Sequence, residues 1–327
     1  MLLRFFLLIL IPLSALPASS WENEVINLTI HARFQDADSL LKAQKKTYPL
    51  KAAFYTASML NSRMAHYEDS SGAQRFLAVL DDVLTWSNDS LERPVLSAAD
   101  EARFYFYMGS AYGFRAYFGG KNSQWVAALR DGALARRYLN KAIEKDSTLY
   151  DAYLGIGTYK YWLSTKVSWV PLVPDMRDEG IELVQKTAQH ACPSRDLARH
   201  QLVYILLDYG HNDQALAIAE DLVGRYPESI FMNWAYSHVK MKMRRYDEAI
   251  AAYEKILALV AAEKKPNPNH ERTALIRMAD MYARAGDCAG ARLFLQKTEE
   301  RFNGFSGAND DEVQQLSQRI RTMCAKP

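Results

Sequence analysis

Turn-forming residues are scarce in this chain, which has 15 glycines and 11 prolines among 327 residues. That is about 8% where ~12% is average, too few tight turns for an all-β or loop-rich protein, so long helices are favoured. Charge of one sign is missing too: 40 basic against 38 acidic residues leave a net charge of +2, no field that would hold a phosphate backbone, and nucleic acid is excluded as the expected partner. From Trp21 onward no run reaches the 18 or so apolar residues of a membrane-spanning helix, so no transmembrane segment is expected in the mature chain. There is no Gly-x-Ser-x-Gly, no His-Glu-x-x-His and no paired Cys-x-x-Cys, which leaves no support for an enzyme. Gly119-Gly120-Lys121 lacks the rest of a phosphate loop and reads as a turn. His190, Cys192 and His200 are not spaced as a structural zinc site, so neither metal nor cofactor is expected.

What is present begins with residues 1–20, where Arg4 precedes an apolar stretch from Phe5 to Leu13 and then small residues. That order predicts a secretory signal peptide, processed after Ser20 or, as second choice, after Ala18, and an exported chain, periplasmic or extracellular. An oxidising compartment lets cysteines pair. Of the three, Cys288 in a turn and Cys324 at the end of the last helix form the expected disulfide, with Cys192 left free.

The remaining chain is periodic. In 230–262, Tyr236 and Ser237 belong to one helical stripe and Ala249, Tyr253 and Ile256 to a second, separated by the polar turn Arg244 to Asp247. Small residues at such spacing allow close helix approach and the large ones pack. The pattern recurs upstream in 196–229 (Leu202, Val203, Leu206, then Ala215, Ala219, Leu222 and Pro227) and downstream in 270–303 (Leu275, Met278, Ala279, Tyr282, then Ala291 and Leu295). Two longer units, 102–149 and 150–190, repeat it with insertions, and looser matches extend back to Ala37 and Leu41. A final stripe in 310–325, Val313, Leu316, Ile320 and Met323, reads as a capping helix.

These units resemble the tetratricopeptide repeat, whose period is 34 residues. The resemblance implies an all-α superhelix of about six stacked hairpins in one domain, 21–327, because a single hairpin cannot bury its apolar stripe alone. It also implies an inner groove lined mainly by positions two, five, nine, twelve and thirteen of each first helix. Carried onto this chain, those positions include Phe106 and Phe114, Tyr161 and Trp162, Tyr204, then Trp234 and His238, with Ile276 and Asp280 further on. Lys and Asn at these positions clamp a terminal carboxylate in chaperone-binding members; here the lining is aromatic, which suits an extended peptide or partner helix. The expected function is an exported scaffold for protein interaction or envelope assembly. The alternative is a periplasmic carrier of an apolar ligand, lipid or small molecule, serving transport. Two aromatic inserts, Phe114 to Trp125 and Tyr159 to Pro174, place Trp125 and Trp169 on loops that either confer specificity or fill the groove. Gly155-Ile-Gly157, the proline-bearing insert and Asp178-Glu-Gly180 are distantly similar to the eukaryotic tetratricopeptide-repeat thirty-nine family. That likeness covers less than half of the chain and brings no function with it.

Overall fold

The computed structural model describes residues 20–167 and 174–325. The expected signal peptide, apart from Ser20, and Trp169 lie outside the described residues. Among those described there are fifteen helices and no strand. Two short helices come first, α1 (Trp21–Ile30) and α2 (Phe34–Gln44). Six antiparallel hairpins follow: α3 (Pro49–Tyr67) with α4 (Ala73–Leu91), α5 (Ala98–Lys121) with α6 (Trp125–Lys145), α7 (Asp151–Val167) with α8 (Arg177–Gln189), α9 (Arg195–Tyr209) with α10 (Asn212–Arg225), α11 (Ile230–Lys242) with α12 (Tyr246–Ala261), and α13 (Pro268–Ala285) with α14 (Cys288–Arg301). A last helix, α15 (Asp310–Met323), covers the end.

The helices start and stop where the chemistry of the sequence requires. Ser97, Ser229, Asn267 and Asp287 cap α5, α11, α13 and α14 by accepting a backbone N–H of the first turn, satisfying one of the donors that a helix start leaves free. Pro49 and Pro268 open α3 and α13, where no N–H is needed. Gly210 ends α9 at φ 91°, a left-handed conformation costly for any side chain with a Cβ. The expected stripes are the core: Ala215, Ala219 and Leu222 of α10, and Ala249, Tyr253 and Ile256 of α12, are all fully buried. Where α7 crosses α8 the contact is backbone to backbone. A Cβ on Gly157 would stand 2.6 Å from the Gly180 carbonyl oxygen, and one on Gly180 would stand 2.8 Å from that of Gly157.

The structure departs from the sequence reading in three places. The extra residues of 102–149 do not form an insert loop; they lengthen both helices, so that α5 has 24 residues and α6 has 21. Gly119-Gly120-Lys121 is accordingly the last turn of α5, and Trp125 is the first residue of α6. In α15 the stripe is Leu316 and Ile320 followed by Cys324, packed on Ile276, Ala279 and Ala283 of α13, while Met323 is exposed. Cys324 bonds to Cys288, the first residue of α14, with Cα atoms 5.4 Å apart.

The third departure concerns the whole array. The N-terminal helices reach across to the C-terminal repeats. The Ser229 hydroxyl donates to the Ile30 carbonyl at 2.7 Å, and His31 meets the Tyr226 ring edge-on. At the other end of α3, His66 is fully buried and donates from Nε2 to Glu263 at 2.6 Å. Asn267 and Asn269 donate to the carbonyls of His66 and Tyr67 at 3.1 and 3.2 Å. The superhelix therefore closes on itself along a polar seam.

Candidate functional site

α3 touches α5, α5 touches α7, α7 touches α9 and α9 touches α11, whereas no second helix makes a comparable contact with the next second helix. Tighter spacing marks the smaller radius, so the first helices form the concave layer and their exposed faces are the candidate site.

The expected groove residues divide into three groups. Phe106 and Phe114 lie on the inner layer, also half-buried, and pack against the N-terminal core through Phe54 of α3, with ring centroids 5.4 and 6.3 Å apart. Tyr161 is a correction. It is fully buried and its hydroxyl donates to Asp208 Oδ2 at 2.7 Å and lies 3.2 Å from the Ile205 carbonyl, because it and Trp162 are neighbours about 100° apart round the helix and cannot face the same way. Trp162, Tyr204, Trp234 and His238 form the third group, each only half-buried. Tyr204 stands between His200 and His238, with centroids 5.2 and 5.7 Å away. Trp234 packs against Tyr253 and His270. Further along, the groove is covered: Ile276 and Asp280 are buried, and Asp280 is held by Arg284 and Arg319 at 2.8 and 2.6 Å.

Desolvation governs the chemistry of this surface. Burial lowers the His200 pKa to about 4, opposed by a hydrogen bond with the Phe231 backbone. Burial and then the Arg277 and Lys242 charges lower His238 to about 4, and burial raises Tyr204 to about 12. At neutral pH the surface therefore presents uncharged imidazole, phenol and indole groups. The buried atoms Trp234 Nε1, His200 Nε2 and Thr158 Oγ1 have no hydrogen-bond partner among the described residues. Such a surface donates and accepts hydrogen bonds and offers ring faces.

The other candidates have structural roles. His190 stacks on Tyr150 at 3.7 Å and its Nδ1 binds the Lys186 carbonyl. The Cys192 thiol is raised to about 12, first by burial and then by Asp151, which suppresses the thiolate. No group of three or more His, Cys, Asp or Glu among the described residues is placed to hold a metal. Asp178 and Glu179 stand in the first turn of α8, where the helix dipole favours them. Two surface cavities, about 430 Å³ beside Val313 and Arg321 and about 280 Å³ beside Ile181 and Tyr209, touch none of the groove residues. Trp125 is 65% exposed at the end of the α5–α6 hairpin. Sequence reasoning missed the seam of His66, Glu263, Asn267 and His270.

Comparison with known proteins agrees with this architecture. Residues 228–303 match the tetratricopeptide repeat family model. The fold is similar to a chain in the crystal structure of the APC/C hetero-tetramer Cut9-Hcn1, with a TM-score of 0.58 at 15% identity over 92% of this chain and 50% of that one. This protein thus spans half the length of that relative, and at such identity the likeness establishes the fold alone. PilW, described as a widely conserved type IV pilus biogenesis factor, aligns with a TM-score of 0.49 at 13% identity over 80% of this chain and 97% of its own. MamA from Desulfovibrio magneticus RS-1 aligns with a TM-score of 0.42 at 16% identity, covering 57% and 93%. No curated protein matches the sequence. The chain carries tetratricopeptide repeats within an all-α solenoid, and among the described residues no helix is long and apolar enough to cross a membrane.

Proposed function

We propose that the protein is an exported, non-enzymatic scaffold, a 1–20 leader followed by one repeat domain, that captures a protein partner as an extended segment on the inner faces of α7, α9 and α11. The observation that carries this reading is the cluster of Trp162, Tyr204, Trp234 and His238, half-buried on the inner layer, with its phenol and imidazole uncharged at neutral pH. Ring faces with polar edges suit a peptide, whose backbone pairs with those edges and whose side chains supply apolar surface. They suit a wholly apolar ligand poorly, since it would cover the half-exposed phenol and imidazole without pairing them.

A photo-crosslinking residue placed at His238, compared with one at Lys255 on the outer helix α12, tests this in the native cell. Capture of one defined protein at 238 and not at 255 is the expected result; equal capture at both sites removes the groove from consideration. N-terminal mass spectrometry of the purified protein tests export, which predicts loss of the first 18 to 20 residues.

A further inference from the structure

The α5–α6 hairpin ends in an apolar knob that nothing described covers. Tyr117 is 51% exposed, Trp125 65%, Val126 85% and Leu129 64%. These are four of the nine exposed large hydrophobic side chains among the described residues, gathered within thirteen residues. The two helices are in ordinary contact at this end: a Cβ on Gly119 would lie 3.7 Å from Ala128, and the Trp125 ring lies 3.9 Å from where a Gly120 Cβ would be. The tip's own charges have one sign, and behind them Asp81 of α4 pairs with Arg115 at 3.7 Å. From Ala116 to Arg130 the sequence has no Asp or Glu but includes Lys121 and Arg130. Further along α6, Asp131 is buried and bound by Arg115 at 2.7 Å, while Arg136 and Arg137 are exposed and make no ion pair among the described residues.

We propose that this hairpin end docks the protein on the surface of an anionic membrane, with Tyr117, Trp125, Val126 and Leu129 entering the interfacial layer and Lys121 and Arg130 lying against lipid phosphates. Tryptophan and tyrosine prefer that layer, where an apolar ring body and a polar edge are both accommodated. Lys121 is placed to keep its ammonium in the headgroups while its stem lies along the apolar surface, since its Nζ stands 5.8 Å from the Tyr117 ring centroid. Arg136 and Arg137, eleven and twelve residues beyond Trp125 on α6, lie about 16 Å along the helix. With the tip immersed by ~5–10 Å they remain within roughly a Debye length of the phosphates. A protein partner would need a cavity to receive a convex end studded with four side chains. A bilayer needs no cavity and supplies the opposite charge.

The test is sedimentation of the full chain with vesicles of equimolar phosphatidylglycerol and phosphatidylcholine, and with phosphatidylcholine alone. The wild type is expected to pellet with the anionic vesicles, to pellet much less with the neutral ones, and to be released by added salt. A variant with Trp125→Ser, Val126→Ser and Leu129→Ser keeps the wild-type melting temperature, because all three side chains are exposed, and is expected to partition at least about tenfold more weakly. Lys121→Glu with Arg136→Glu and Arg137→Glu removes the preference for anionic vesicles. Quenching of tryptophan fluorescence by brominated lipid, present in the wild type and reduced in Trp125→Phe, reports insertion directly. The proposal is overturned if the serine variant pellets like the wild type, if wild type ignores vesicles or treats both kinds alike, or if the knob proves to join two copies, seen as a dimer in solution that the serine variant disperses.

Discussion

Three histidines show how far burial has changed single groups. His200 and His238 remain neutral down to about pH 4, and His270, desolvated and beside His66, down to about 3. In the unfolded chain each gains a proton near pH 6.5. Between those values the unfolded state holds more protons than the folded one, so their contribution is complete above pH 6.5 and is lost as pH falls through the window. A histidine held neutral to about pH 4 accounts for roughly 3 kcal/mol of that loss once pH is below both values. Urea midpoints measured from pH 7.5 to 4.5 are expected to fall steadily, and His238→Gln should flatten the slope without altering the shape of the transition at neutral pH. The groove assignment was legible at this scale only in part. Repeat register put Trp162, Tyr204, Trp234 and His238 on the inner layer, but register cannot resolve adjacent residues, and Tyr161 sits in the core with its hydroxyl on Asp208. Tyr161→Phe removes that bond while the exposed Asp208 returns to water, and is expected to cost about 0.5–1.5 kcal/mol in thermal or chemical denaturation.

The hairpins themselves were readable because alanine and large apolar residues recur at helical spacing, and the buried faces of α10 and α12 follow that spacing closely, whereas α13 is buried on nearly every side. Composition misled where it imitates a loop. Two glycines, a lysine and exposed aromatic residues suggest an insert, yet α5 continues through Lys121 although Gly119 and Gly120 lower its helix propensity, with Ala128 of α6 in ordinary contact beside Gly119. Glycines therefore need their surroundings before their effect has a sign. Gly157→Ala would drive a methyl to 2.6 Å from the Gly180 carbonyl oxygen, where neither backbone can yield, and should destabilise by about 1–3 kcal/mol or more. Gly224 lies in the last turn of α10 with nothing within 4 Å of an added Cβ, so Gly224→Ala should stabilise by a few tenths to ~1 kcal/mol. Urea midpoints of the two variants moving in opposite directions would confirm the contrast. At the C-terminal end, the Cys288–Cys324 bond closes a loop across 36 residues, worth roughly 3–4 kcal/mol by chain entropy. Reduction should expose the α15 amides to hydrogen exchange before those of α9 or α11.

A stacked array ordinarily joins each repeat only to its neighbours, so that stability is a sum of local terms and the ends fray. Sequence periodicity describes those local terms and is silent about closure, which depends on small rotations accumulated over all the repeats; that is why the seam was not legible. Its chemistry is nonetheless specific. His66 and Glu263 are 197 residues apart, His66 also packs its ring on His270 at 4.8 Å, and Asn309 donates to Glu68 from the α14–α15 connection. Contacts of this separation join the first helices to the last and convert an open series into a cooperative unit. Asn267 is the most informative residue to remove, since its side chain caps α13 through the His270 N–H and also donates to the His66 carbonyl. Asn267→Ala leaves that carbonyl buried without its donor and should cost about 1–3 kcal/mol. Asn267→Asp retains the cap acceptor but not the amide donor, so it separates the two roles. If the seam holds the ends together, both variants should raise hydrogen exchange in α1 to α3 and enlarge the radius of gyration in X-ray scattering, with α8 to α10 unchanged. An increase confined to the first turn of α13, seen in the alanine variant alone, would instead reduce Asn267 to a helix cap and leave the repeats as an ordinary nearest-neighbour stack.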